Sequence, residues 1–276
     1  MDFKVQRINT FLELQEELFK ETFNDSLRRH RCSKVFRGLP NHNFELKNSL
    51  TRIVNDRLDL EEGLIRNFKK YASADILPGY GFWDILALAQ HHGLPTRLLD
   101  WTFSPFVALH FATDDMTKYD SDAIIWSIDF MKLAEYLPGT LYQVLKKHNS
   151  TVFTTEMLNQ VIPDLKALAE LEKETKQNGN GEGSFFLFVE PPSVDDRIIN
   201  QYALFTVASR PDIILNQWLV NHPELYKAII IPAGLKLEIR DHLDTINMTE
   251  RVIYPGLDGL CKWLARHYTP TDRIYR

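Results

Sequence analysis

The chain is nearly devoid of cysteine: Cys32 and Cys261 are the only two in 276 residues. They lie far apart and match no metal or redox spacing, so both read as reduced thiols of a cytoplasmic protein, and no metal is expected. Nothing near Cys32 marks it as an activated thiolate. Long apolar runs are missing too; none approaches the roughly 18 residues needed to span a bilayer, so no membrane association is expected. The opening MDFKVQRINTFLELQEELF mixes acids into its apolar pattern, which argues against a cleaved signal peptide. There is no GxxxxGK[ST], no GxGxxG after a strand, no HExxH and no GxSxG, so the common nucleotide-binding and hydrolase signatures are excluded. A formal net charge of -5 predicts no global attraction to nucleic acid, although a local basic groove is compatible with it. Internal repeats and a clear domain linker are also lacking. At roughly 150 residues per domain the length permits one or two domains, and one is expected.

What is present is a mixed succession of helix and strand signals. Asn9-Thr10 caps an amphipathic run, TFLELQEELFKETFN, and KVFRG at 34–38 reads as a strand. FELKNSLTRIVNDRLDLEEGLIRNFKKYA reads as one or two helices whose mixed charges form a solvated face. DILPGYGF is a turn-rich break, and FWDILALAQHHG is a helix stopped by Gly93. TRLLDWT is extended, and Ser104-Pro105 supplies the N-cap and first residue of the helix PFVALHFATDDM. AIIWSID, FFLFVEPP, ALFTVAS and KAIIIPAG are strands, KQNGNGEGS is a flexible loop, and GLDGLCKWLARHY closes with a helix. Because helices precede and separate the strands without strict alternation, the expected class is α+β. The expected architecture is a single compact domain, a mixed or antiparallel sheet with flanking helices. An N-terminal helical segment occupies 1–30, and the rest, 31–276, carries a helical insertion at about 131–176.

Three constellations carry potential chemistry: Phe36-Arg37-Gly38, the run from Gln90 to Thr102, and Asp196 to Tyr202. Each sets an arginine or an amide at the edge of an apolar element, and arginine is the side chain best shaped to grip phosphate or carboxylate. His91 and His92 are adjacent and point about 100° apart on a helix, a poor arrangement for one metal. Arg97 and Asp100 admit two readings, a structural pair tying loop to core or members of a site.

FRG at 36–38, QHHGLPTRLLDWTFSPFVALHFA at 90–112 and RIINQYALFTV at 197–207 resemble the FRG-domain family of bacteria and phages. The layout is also similar, more weakly, to ADP-ribosyltransferases of the Arg–Ser–Glu type. That second resemblance implies an ADP-ribosyltransferase-like fold in which NAD is the substrate. Arg37 and Gly38 would then hold the diphosphate. Gln90, Thr96, Arg97, Thr102 and Arg197 would complete the cofactor-binding set. Asp100-Trp101-Thr102 stands where such enzymes have Ser-Thr-Ser, and Gln201 stands where they have the catalytic glutamate. A neutral amide cannot stabilise an oxocarbenium-like ribose as a carboxylate does. The missing charge must come from Asp100, Glu190 or Asp196, with His91 as a ribose ligand or acid–base group. The catalytic candidates are therefore His91, Asp100, Gln201 and Glu190.

The resemblance implies ADP-ribose transfer to a nucleic-acid or protein acceptor, or hydrolysis of NAD, in a toxin or phage-defence effector that an antitoxin could hold in check. A non-catalytic alternative uses the same cleft to bind a nucleotide or single-stranded nucleic acid, with Trp83, Trp101 or Tyr202 as stacking faces. A third reading is a hydrolase of a phosphorylated substrate with His91 and Asp100 as the acid–base pair.

Overall fold

A computed structural model of the chain describes residues 5–54, 60–72, 76, 78–177, 183–193 and 196–270. Outside them lie the ends of the chain, residues 55–59 of the expected helical stretch, parts of DILPGYGF, and 178–182 of the expected loop. The strands are β1 (Val5–Arg7), β2 (Phe23–Asn24), β3 (Arg29–His30), β4 (Lys34–Leu39), β5 (Leu98–Thr102), β6 (Ala123–Asp129), β7 (Phe153–Thr154), β8 (Phe186–Glu190), β9 (Ala203–Ala208) and β10 (Tyr226–Ile231). Helices α1 (Phe11–Phe19), α2 (Ser49–Val54), α3 (Leu60–Tyr71), α4 (Phe82–His91) and α5 (Pro105–Thr113) occupy the first half. Next come α6 (Phe130–Ala134), α7 (Gly139–Lys147), α8 (Thr155–Val161) and α9 (Leu165–Gln177). The last are α10 (Asp196–Asn200), α11 (Leu215–Leu219), α12 (Lys236–Thr245), α13 (Glu250–Ile253) and α14 (Leu257–His267). None of the described helices is long and apolar enough to cross a membrane.

Eight strands form one sheet in the order β1-β10-β6-β4-β5-β9-β8-β7, and β2-β3 form a separate ribbon. All neighbours in the large sheet are antiparallel except the edge pairs β1–β10 and β7–β8. The fold is thus α+β with a mixed sheet. The region 1–30 holds one described helix, and its strand β1 extends the main sheet instead of standing apart. Three residues are too few to show a period-2 pattern, which is why the sequence reads as helical there. The segment 131–176 is helical as its pattern suggests, interrupted by the two-residue β7.

Alternation along β4 sends Val35 and Leu39 to one face and Phe36 to the other. The first pair joins a core with Trp101, Trp126 and Phe188. Phe36 packs with Ala108, Leu109 and Ala112 of α5. Ser104 caps α5 by accepting from the Val107 amide, with Pro105 in its first turn. Close approach of this helix explains Gly38: a Cβ there would lie 1.8 Å from the Ala108 carbonyl oxygen. Gly38→Ala should cost about 1–3 kcal/mol through overpacking against rigid backbone, read as a lower urea midpoint at unchanged slope.

A buried ionic cluster holds the other end of α5. Arg240 of α12, 1% exposed, donates to His110 Nδ1 at 2.9 Å and to Glu250 at 3.2 Å. Arg266 grips Glu250 and Asp244 at 2.5–3.0 Å. Burial, reinforced by the Arg240 charge, pushes His110 down to about 3. The unfolded chain therefore binds a proton near pH 6.5 that the folded chain refuses, and stability falls as pH drops from about 6.5 toward 3. The slope is about 1.4 kcal/mol per pH unit, or about 2 kcal/mol by pH 5. Asp114, raised to about 6 chiefly by burial, acts oppositely between about pH 6 and 4. Comparing wild type with His110→Gln isolates the histidine: the variant should lose less stability between pH 7 and 5, measured by urea titration at each pH.

Candidate functional site

The sheet parts between β4 and β5. Strand β4 pairs with β6 along all six of its residues, and β5 pairs with β9 along all five of its own. Between β4 and β5 the ladder has a single registered pair, Phe36 with Thr102. A cleft of about 330 Å³ opens at this seam. Eight of the eleven catalytic and cofactor-binding candidates line it: Arg37, Gly38, Gln90, His91, Asp100, Thr102, Arg197 and Gln201. Phe36, Trp101, Phe111 and Phe205 supply aromatic wall, and Asp100 is the one carboxylate among the described lining residues.

Arg37 spans the seam. One terminal nitrogen donates to the backbone carbonyl of Asp100 and lies 3.7 Å from its carboxylate. The carbonyl is one that a continued β4–β5 ladder would use, so the guanidinium substitutes for a missing strand contact. Its Nε is buried and has no hydrogen-bond partner among the described residues. Burial works against the charge, Asp100 favours it, and the nearby Arg52 charge opposes it. A cation with an unmet donor and a second cation nearby is suited to an anionic ligand.

Asp100 is held from the other side. Gln90 Nε2 donates to its carboxylate at 3.0 Å, and Thr96 Oγ1 donates to Gln90 Oε1 at 2.6 Å. Thr96 is itself fully buried, so it orients Gln90 and does not line the cleft. The turn that brings Gln90 and His91 beside β5 depends on Gly93, whose φ of +86° reverses the chain after α4. His91 lines the cleft, with its ring 5.1 Å from that of His92.

The opposite wall comes from α10 and the turn after it. Gln201 Nε2 donates to the Ile253 carbonyl at 3.2 Å, which fixes the amide against α13. Next to it Tyr202 has φ of +47°, a left-handed conformation uncommon outside glycine, and its exposed ring leans on Phe103 with centroids 4.9 Å apart. Strain of this kind concentrates where a loop must hold a defined shape.

Besides Thr96, three more candidates lie elsewhere. Arg97 is buried and does not reach Asp100; it makes a double hydrogen bond to Glu61, with Nε 2.9 and 3.0 Å from the two oxygens and NH2 at 2.5 Å. NH1 donates to the carbonyls of Ala208 and Ser209. This corrects both readings of Arg97, as partner of Asp100 and as ligand of the cleft. Glu61, 2% exposed, is the exception to the solvated-face reading of α3, whose Glu62, Arg66, Lys69 and Lys70 are exposed. Glu190 ends β8 half-buried, with its pKa raised by burial, and is not among the cleft residues. Trp83 is in the core with its indole donating to Ile162 at 2.6 Å, so it offers no stacking face. Of the carboxylates considered, Asp196 lines an adjoining hollow. Sequence reasoning passed over Phe111 and Ile198, which reach the cleft from α5 and α10. Their only signal was position inside the quoted motifs.

No curated protein and no solved structure matches the chain. A family model does, over a segment that contains β4, α4, β5 and α5, and hence Arg37, Gln90, His91 and Asp100. Residues 33–121 match the family model of the FRG domain.

Proposed function

We propose that the seam cleft binds NAD and breaks its nicotinamide–ribose bond, passing ADP-ribose to water or to a macromolecular acceptor. The observation that supports this most directly is Arg37, a half-buried cation whose buried Nε is an unmet donor, facing the same cleft as a lone carboxylate, Asp100. Arg37 and Arg197 would take the diphosphate, and Gln90, Thr102 and Gln201 would take ribose hydroxyls. As the C1′–N bond breaks, its electron pair leaves with nicotinamide and positive charge develops on the ribose. The Asp100 carboxylate is the group able to stabilise it. The acceptor oxygen or nitrogen then bonds to C1′ and gives its proton to His91 or Asp100. NAD consumption or modification of a nucleic acid or protein would suit a toxin or phage-defence effector, which an antitoxin would have to restrain.

The test is incubation with NAD labelled in the nicotinamide ring, with and without nucleic-acid and protein acceptors. Wild type should release nicotinamide. Arg37→Ala should lose about tenfold or more in NAD affinity, and Arg37→Lys should recover only part, because a point charge lacks the guanidinium fork. NAD left both unbound and intact by wild type would overturn the proposal. A second reading, nucleotide or single-stranded nucleic-acid binding without chemistry, is favoured by the Gln201 amide in the glutamate position. It predicts salt-dependent oligonucleotide binding with no nicotinamide release.

A further inference from the structure

The cleft is small. Its 330 Å³ stands at the lower end of the roughly 300–1,000 Å³ typical of ligand pockets, room for one half of a dinucleotide. A crevice behind Ile198 is too narrow to admit even a water molecule, so the ligand cannot continue there. A second hollow of about 580 Å³ shares His91 and Arg197 with the cleft and runs on from it. Its floor is Tyr254, with Lys262 4.3 Å and Arg197 5.3 Å from the ring centroid. Asp196 and Asp258 also line it.

We infer that this hollow, between α10 and the start of α14, is a second subsite that holds the adenosine 5′-phosphate half of the dinucleotide. The inference rests on the NAD reading of the cleft and deepens it. Arg197, common to both spaces, sits at the junction where the diphosphate must cross. Lys262 meets the phosphate of the adenosine side as a point charge. Asp196 and Asp258 accept hydrogen bonds from ribose hydroxyls, the usual role of an acid beside a nucleotide ribose. Tyr254 offers the aromatic surface for the base, with its hydroxyl turned toward Asp114. The two carboxylates make the hollow unsuitable for a bare polyphosphate, whereas a nucleoside monophosphate carries donors for them.

Calorimetric titrations with NAD, ADP-ribose and nicotinamide mononucleotide test it. Lys262 and Asp258 are exposed, so Lys262→Ala and Asp258→Ala should melt like wild type. Each should weaken NAD and ADP-ribose by about tenfold, leaving nicotinamide mononucleotide unchanged. Arg37→Ala should weaken all three. If both hollow variants bind NAD and ADP-ribose as wild type does, while Arg37→Ala does not, the second subsite is overturned and the cleft stands. If wild type binds none of the three, the cleft reading fails and the subsite with it.

Discussion

Arg97→Ala should be the most destabilising single change at the edge of the candidate site, lowering unfolding free energy by about 3–5 kcal/mol. The size follows from what is left behind. Glu61 is 2% exposed and takes two oxygens' worth of hydrogen bonds from the Arg97 guanidinium. Truncating the arginine strands that carboxylate without compensation and leaves the carbonyls of Ala208 and Ser209 short of a donor. Such a loss is a large part of the 5–15 kcal/mol that ordinary domains have. The structural effect is local: Arg97 directly precedes β5, and its partners belong to α3 and the end of β9. Replacing both members, as Arg97→Met with Glu61→Leu, should recover much of the loss, because two apolar side chains need no partner. Urea titrations of the two single variants and the double variant measure this directly. Single variants as stable as wild type would show that the pair is solvated. The same lock explains how Asp100 comes to be available, since Arg97 spends every nitrogen elsewhere.

The sheet and its strands were readable because their signals are local. KVFRG, LLDWT, AIIWSID and ALFTV are β-rich runs bounded by turn residues, and each became a strand of the main sheet. The Ser104-Pro105 start and the Gly93 stop were legible for the same reason. What escaped depends on contacts far apart in sequence. Glu61 looks like one acid in a charged helix until Arg97, 36 residues later, buries it. Gly38 looks like a place for a ligand to approach, whereas the backbone of α5 needs that space. Likewise Lys262 and Tyr254 belong to no motif, and only the packing of α10, α13 and α14 brings them beside Arg197. Eight of the candidate residues meet in one cleft because three motif segments border one seam, but which of them faces it was decided by strand alternation and partner choice.

Asp100→Asn should separate binding from chemistry. The substitution keeps the shape, the backbone carbonyl that Arg37 holds and a hydrogen-bonding group beside Gln90, so the fold and the cleft should persist. It removes the negative charge alone. If developing positive charge on the ribose is what the carboxylate meets, nicotinamide release should fall by about 10²–10³-fold, the usual cost of one lost transition-state electrostatic contact. NAD affinity should change far less, because the diphosphate contacts proposed above fall to Arg37 and Arg197. Glu190→Gln is the matching control: Glu190 lies outside the cleft, so turnover should stay within about twofold of wild type. Measuring kcat from nicotinamide release, and Kd for NAD by calorimetry, distinguishes the outcomes. Undiminished kcat in Asp100→Asn would remove the carboxylate from the reaction, and a large loss in Glu190→Gln would move the chemistry to the end of β8. A loss of affinity equal to the loss of turnover would instead make Asp100 a binding group, and the charge that the glutamine at 201 lacks would have to come from the acceptor.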